Sequence, residues 1–328
     1  MEILLPYDLM YTNTLAFCSY LDNLSIDEEF TLRMDLNTVE PFGMLLMSSK
    51  LRRFIDDNKR KDVKFSRAYG VLNTYAAHMG FYQAANLKIG NEPGEASGSS
   101  TYLPITDILV SDIRNEAATK KEHHGQIVTQ KSIEIANIIS RGNSNVREKL
   151  AFAIREIIRN VVEHSRSEKV WIAAQYWPNR GNLVEVAILD EGVGLRTTLD
   201  EHPQITVKSD RDALLLAIEP GVTGNHFAYG EDNVWANSGY GLYMTSSICE
   251  KVGDFIICSG NQAVKIDSAG PTFFETSFSG TAIRMRFRVQ DLQRIDIDSI
   301  VNEGQERAAR NGGLTRKSAS LVSRVLNP

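Results

Sequence analysis

The sequence predicts an α/β protein built from two units, and three observations carry that prediction. Through residues 1–90, short apolar runs alternate with longer amphipathic stretches, the pattern of strands and helices packed in layers. The runs VWIAAQYW (170–177) and LVEVAILD (183–190) are rich in branched and aromatic residues and flank a turn-forming segment from Pro178 to Asn182, which reads as a β-hairpin. Just upstream, Leu150, Ile154, Ile157, Ile158 and Val161 recur at helical spacing. With 328 residues, 42% of them hydrophobic, the chain is long enough for two ordinary domains. The expected division is an N-terminal α/β domain with its polar linker at 1–100, a second α/β domain at 101–290, and a charged tail at 291–328.

Taken in order, MEILLP opens as a short strand and TLAFCSYLDNL (14–24) follows as a helix. FTLRMDL (30–36) is a strand, FGMLLMSSKLRRFIDDN (42–58) a helix, VKFSRA (63–68) the next strand, and helix is expected again around 71–78. NEPGEASGSS (91–100) is polar and rich in turn formers, and marks the boundary. An apolar pattern at 127–139 follows the pair His123-His124, which reads as ordinary helix-flanking histidine rather than a phosphate acceptor. In the tail, IDSIVNEGQERAARNG can carry a helix, and every charged residue between Arg307 and Lys317 is basic. A solvated helix with a frayed end is the expectation there.

The chemistry-bearing residues fall in four segments. At about 100° per residue, Glu156, Asn160 and Glu163 lie opposite the apolar stripe of their helix, with His164 at its edge. A wetted polar face explains that arrangement by itself. Asn160 argues for more, because asparagine is a mediocre helix former. Its carboxamide oxygen suits Mg²⁺, which takes hard oxygen donors. A glutamate one turn away is placed to orient or deprotonate a water. Next, Asp190 ends the second hairpin strand and opens DEGVG, where Gly192 and Gly194 let the backbone bend around a ligand. A carboxylate there accepts a hydrogen bond from an exocyclic amine such as that of adenine. Third, SGYGLYMTSSICEKVGD (238–254) carries Gly239 and Gly241 into a helical pattern. Glycines at a helix start expose N–H groups to phosphates. Fourth, SGTAIRMRFRV (279–289) is a strand entered through Gly280-Thr281, with Thr281 in reach of a base or a structural water.

This order, a helix with ExxxNxxxH, a strand pair, DxGxG, a long loop, a GxGL helix and a Gly-Thr strand, resembles the ATP-binding fold shared by gyrase, heat-shock chaperone ATPases, histidine kinases and MutL. The ExxxNxxxH spelling is most similar to the anti-sigma-factor serine kinases of that superfamily, and the resemblance covers about residues 125–290. It implies a Bergerat-type sandwich, a mixed sheet with helices on one face and ATP between the layers. It implies further that Glu156 is the catalytic base, Asn160 the Mg²⁺ ligand and Asp190 the acceptor for the adenine amino group. Gly192 and Gly194 would shape the base pocket, Gly239 and Gly241 approach the phosphates, Thr281 support the adenine site, and residues 196–238 form the lid over ATP. Within that lid LLLAIEP (214–220) reads as a helix, and Lys208, Arg211 and His226 are candidate phosphate contacts that no spacing distinguishes from solvated loop residues. Many relatives of this ATP module dimerise. Residues 35–54 resemble the STAS fold of anti-sigma-factor antagonists, where a strand ending in Asp leads to a helix preceded by a phosphoacceptor Ser-Gly. Here the corresponding stretch is EPFG (40–43), with no Ser or Thr before Gly43.

Other classes are disfavoured. There is no GxxxxGK[ST] P-loop, and no GxGxxG after a strand with a later acidic residue. Cys18, Cys249 and Cys258 lack the paired spacing of a zinc site or disulfide framework. A net charge of −5 leaves no basic footprint for nucleic acid. No run approaches the length of a membrane span, and the N-terminus lacks the features of a signal peptide, so a cytoplasmic protein is expected. The expected activity is Mg²⁺-dependent ATP binding, with hydrolysis or transfer of the γ-phosphate to Ser/Thr of a regulatory protein partner. The alternative is a non-catalytic module whose lid closes on ATP and changes the surface offered to a partner.

Overall fold

The computed structural model describes residues 1–203, 205–222 and 239–310. It is an α/β protein with two sheets, one of three strands and one of five. The first is parallel, built from β1 (Glu2–Leu4), β2 (Glu29–Met34) and β3 (Lys64–Tyr69), and its strands are joined by helices α1 (Tyr11–Asp22) and α2 (Pro41–Arg60). Parallel neighbours require such crossovers, because a tight turn reverses the chain. Proline at the start of α2 supplies a helical φ where its missing N–H costs nothing. Two short helices follow, α3 (Thr74–His78), which covers only the end of the expected 71–78 stretch, and α4 (Phe81–Ala84).

The larger sheet begins at β4 (Tyr102–Leu109) and is interrupted by three helices, α5 (Val110–Lys120), α6 (His124–Ile139) and α7 (Ser144–Asn160). The Asn143 side chain caps α7 by accepting from the Val146 N–H at 3.0 Å. A single π-helical turn, Val161–Ser165, then leads into β5 (Lys169–Trp177) and β6 (Leu183–Asp190), the expected hairpin. Helices α8 (Gly194–Asp200) and α9 (Asp210–Ala217) follow, and then α10 (Gly241–Val252). The chain closes the sheet with a long hairpin, β7 (Gly253–Asp267) and β8 (Gly270–Arg288), and ends its described part in α11 (Val289–Gln293) and α12 (Ile297–Arg310). The strand order is β4-β5-β6-β8-β7, and every pairing is antiparallel, where the resemblance implies a mixed sheet. Two hairpins supply four of the strands, and hairpin neighbours run antiparallel by construction.

Both faces of this sheet are buried. Val170, Ile172, Val186, Ile188, Ile283 and Met285 point into one core with α6, α7 and α10. Their sequence neighbours Trp171, Ala173, Ala187, Leu189 and Ala282 point into a second core formed by α1, α2 and the parallel sheet. Helices therefore cover the sheet on both sides rather than one, and the second layer comes from residues 1–90. The alternation follows from the pleat, which sends successive side chains to opposite faces.

A charged cluster crosses the second core. Glu185, fully buried at the centre of β6, accepts from the Phe42 N–H at 2.9 Å and pairs with Arg286 at 2.6 Å. Arg286 also pairs with Glu40, and Arg284 with Asp254. Burial holds the Glu185 carboxyl above the usual carboxylate range despite its two guanidinium neighbours. The tail departs from its expected solvated form, since Ile300, Val301, Gly304 and Ala308 of α12 are buried and Gly304 lies against the Tyr243 ring of α10. Residues 311–328 lie outside the described residues. Among the described residues, no helix is long and apolar enough to cross a membrane.

Replacing Arg286 by Met leaves Glu40 and Glu185 without their shared cation, and breaking a buried pair from one side costs about 3–5 kcal/mol. Urea denaturation of Arg286→Met should show a loss of that order. A loss under about 1 kcal/mol would mean that the cluster does not tie residues 1–90 to the sheet.

Candidate active site: an apolar cleft at the end of β6

Asn160, Asp190, Gly194, Gly239, Gly241 and Thr281 line one cleft of about 830 Å³, counted out to open solvent. They come from four separate stretches of chain: the end of α7, the DEGVG turn, the start of α10, and β8. The remaining walls are mostly apolar, with Ile157 and Val161 on the helix side, Ile188, Ile257 and Ile283 on the sheet, and Leu195 and Leu242 near the glycines. An apolar slot with few convergent polar groups is the general form of a small-molecule site.

Asp190 sets the polarity of the floor and is only 4% exposed. Its Oδ1 accepts from the Gly192 N–H at 2.9 Å. Thr281, its register partner across β6 and β8, also donates to it. Burial pushes the carboxyl up to about 7, and these hydrogen bonds offset only part of that cost. The side chain is thus balanced between acid and carboxylate near neutral pH, and a ligand amine donating to it favours the ionised form.

Gly192 does not line the cleft. A Cβ on it would come within 1.9 Å of the Ser165 carbonyl oxygen, so its bare Cα lets the turn dock onto the π-helical turn that follows α7. The Val193 N–H completes that contact by donating to the same carbonyl at 2.9 Å. Gly192 thus packs the turn against Ser165, beside Asp190. Gly194 has a φ of +78° and Gly239 a φ of +73°, both in the region that favours glycine. The Gly239 carbonyl accepts from the Gly221 N–H at 3.0 Å.

Glu156 behaves differently from the expected wetted residue. It is 1% exposed and does not line the cleft. Arg155 grips its Oε1 from Nη2 at 2.8 Å and from Nε at 3.1 Å, and Arg159 stands 3.8 Å away. The other carboxylate oxygen lies against the first turn of α10, where a Cβ on Gly241 would be 2.2 Å from it. A helix N-terminus favours negative charge there. Glu156 therefore sits behind the glycine at the cleft rim, with Gly241 between it and the opening.

No family model matches this chain, and no curated protein matches it. His164, Ser165 and Thr198 also line the cleft. Burial lowers the His164 pKa, with Glu163 opposing. The π-helical turn carrying Glu163 and His164 gave no sequence signal, although such turns recur at functional sites. His123 caps its own helix, its Nδ1 accepting from the Gly125 N–H at 3.1 Å, and stacks on His124 at 4.1 Å. Of the candidate phosphate contacts, Arg211 lies over the Phe273 ring at 3.8 Å, turned to the β7–β8 hairpin. His226 lies outside the described residues. Among the described residues, no three His, Cys, Asp or Glu side chains converge as a metal cage.

The Asp190 balance has a measurable consequence. Its folded pKa lies above the value of 3.8 for an unstrained aspartate. Below about pH 4 both states hold the proton and the group costs nothing. As pH rises to about 7 the unfolded state ionises first, so stability falls across that window and levels off above it. Asp190→Asn removes this effect. Without nucleotide, the variant should gain on the native protein between pH 4 and 7, by up to about 4 kcal/mol. Equal pH slopes in urea denaturation would show that Asp190 is ionised throughout.

Proposed function

We propose that the cleft binds Mg-ATP and that the chain is an ATPase or protein serine/threonine kinase of the gyrase, chaperone, histidine-kinase and MutL type. The carrying observation is convergence: six residues singled out in four separate motifs line one apolar cleft with a buried carboxylate on its floor. A purine fits that chemistry, its rings against Ile188, Leu195 and Ile283 and its amino group toward Asp190. The fit extends to the rest of a nucleotide. Asn160 offers a carboxamide oxygen at the cleft wall for Mg²⁺, and the first turn of α10 presents backbone N–H groups beside Gly239 and Gly241 for phosphate. Bound Mg²⁺ would neutralise phosphate charge. The chain's own residues orient the base, exclude water with the apolar wall, and supply a carboxylate at Glu156. In this reading the protein acts in the cytoplasm on a regulatory protein partner, and residues 1–90 are its STAS-like companion.

Glu156 must leave the grip of Arg155 to reach a water in the cleft. That grip favours the second reading, in which ATP binding gates a surface for a partner with little turnover. The two readings differ in one measurement. Under the enzymatic reading, Glu156→Ala retains Mg-ATP binding and loses turnover by about 100-fold or more. If native and variant proteins turn over ATP equally slowly, the binding module is the better account. Asn160→Ala should weaken nucleotide binding in Mg²⁺ far more than in EDTA, and an equal loss in both would make Asn160 structural.

A further inference from the structure

Consecutive residues at the end of β6 serve opposite faces of the sheet. Asp190 points into the cleft, while Glu191 points toward α2 and makes no contact with the cleft. Glu191 is nonetheless held by four hydrogen bonds. The Ser49 hydroxyl and Arg52 Nη2 both donate to its Oε1, the latter at 2.6 Å. Arg53 Nη2 donates to its carbonyl at 3.2 Å, and its own N–H donates to Ser167 Oγ at 3.2 Å. Ser49, Arg52 and Arg53 stand at i, i+3 and i+4 on α2, so one helix face makes all three contacts.

Arg53 reaches further. Its Nη1 donates to the Ser279 carbonyl at 3.1 Å, two residues before Thr281. One guanidinium therefore ties the strand carrying Thr281 to the turn carrying Asp190, from the face opposite the cleft. Gly280 packs between them, where a Cβ would lie 2.1 Å from the Asp190 carbonyl oxygen. Arg52 cannot drift, since it also bonds the Ala84 carbonyl and lies over the Trp171 ring at 4.6 Å.

We propose that residues 1–90 are the regulatory input of the cleft, and that Glu191 is the positioning residue through which α2 sets the Asp190–Thr281 floor. A shift of α2 along the sheet moves Glu191 and the Ser279 carbonyl together, and with them the acceptor for the base. Coupling of this kind is reciprocal, so a ligand that fixes the floor also fixes α2. The inference rests on the nucleotide reading of the cleft.

The test uses the full chain and Mg-ATP, with affinity read by calorimetry and α2 read by hydrogen exchange of residues 41–60. Native protein should bind, and exchange across α2 should slow on binding. Glu191→Ala should bind about tenfold more weakly, the worth of one charge-assisted hydrogen bond, and lose the protection of α2. Glu191→Gln keeps an acceptor oxygen and should recover most of both. Ser49→Ala, which removes a single bond, gives a milder loss in the same direction should Glu191→Ala fold poorly. Native affinity in Glu191→Ala, or α2 exchange unchanged by bound nucleotide, overturns the coupling and leaves the nucleotide reading standing. A native chain that binds no Mg-ATP overturns the nucleotide reading and this proposal with it.

Discussion

The structure depends on a strand buried from both sides. From Val184 to Asp190 every residue of β6 is buried, with even positions facing the helical layer and odd positions facing residues 1–90. Apolar side chains meet that constraint without difficulty. Glu185 does not, and the cluster of Arg286, Glu40 and the Phe42 N–H exists around it. An isolated buried carboxylate is so costly that its partners must be held in place. The partners come from residues 40–42 and from β8, so the charge in β6 and the docking of α2 are one structural fact. Asp190, at the end of the same strand, meets the same low-dielectric surroundings with fewer partners, and its raised pKa is the result.

Two carboxylates near the cleft thus stand in contrasting environments. Asp190 faces the opening with neutral donors around it, suited to a neutral ligand amine. Glu156 is sheltered behind Gly241 and neutralised by Arg155. The Glu156 charge is thus matched by a guanidinium on its own helix.

Much of this was legible in the sequence, for definable reasons. The hairpin at 170–190 and the elements of residues 1–90 announced themselves by composition and turn residues, and α2 begins within a residue of its expected place. Six of the motif residues share a cleft, while Glu156 and Gly192 do not line it; each glycine and polar side chain had broken the local pattern. What escaped was tertiary. The runs VWIAAQYW and LVEVAILD are nearly unbroken apolar, which already signals burial on both faces, and alternate arginines in RMRFR offered partners for Glu185. β4 was hidden by Pro104 and an irregular register, and β7 follows α10 with Gly253 as its first residue and no turn before it. The polar stripe of α7 looked wetted because helical geometry cannot show that α10 covers it. The charged composition of α12 masked the apolar stripe that docks on α10.

The central claim is that the floor of the cleft reads adenine through Asp190. Its most direct test is titration calorimetry of Mg-ATP into the native chain and into Asp190→Asn, both shown to be folded. The account predicts binding by the native protein that the substitution abolishes, because the amide turns a donor toward the base amine or leaves it a poorer acceptor. Equal affinity in the two proteins would move the base elsewhere, and no binding by the folded native chain would contradict the nucleotide reading itself.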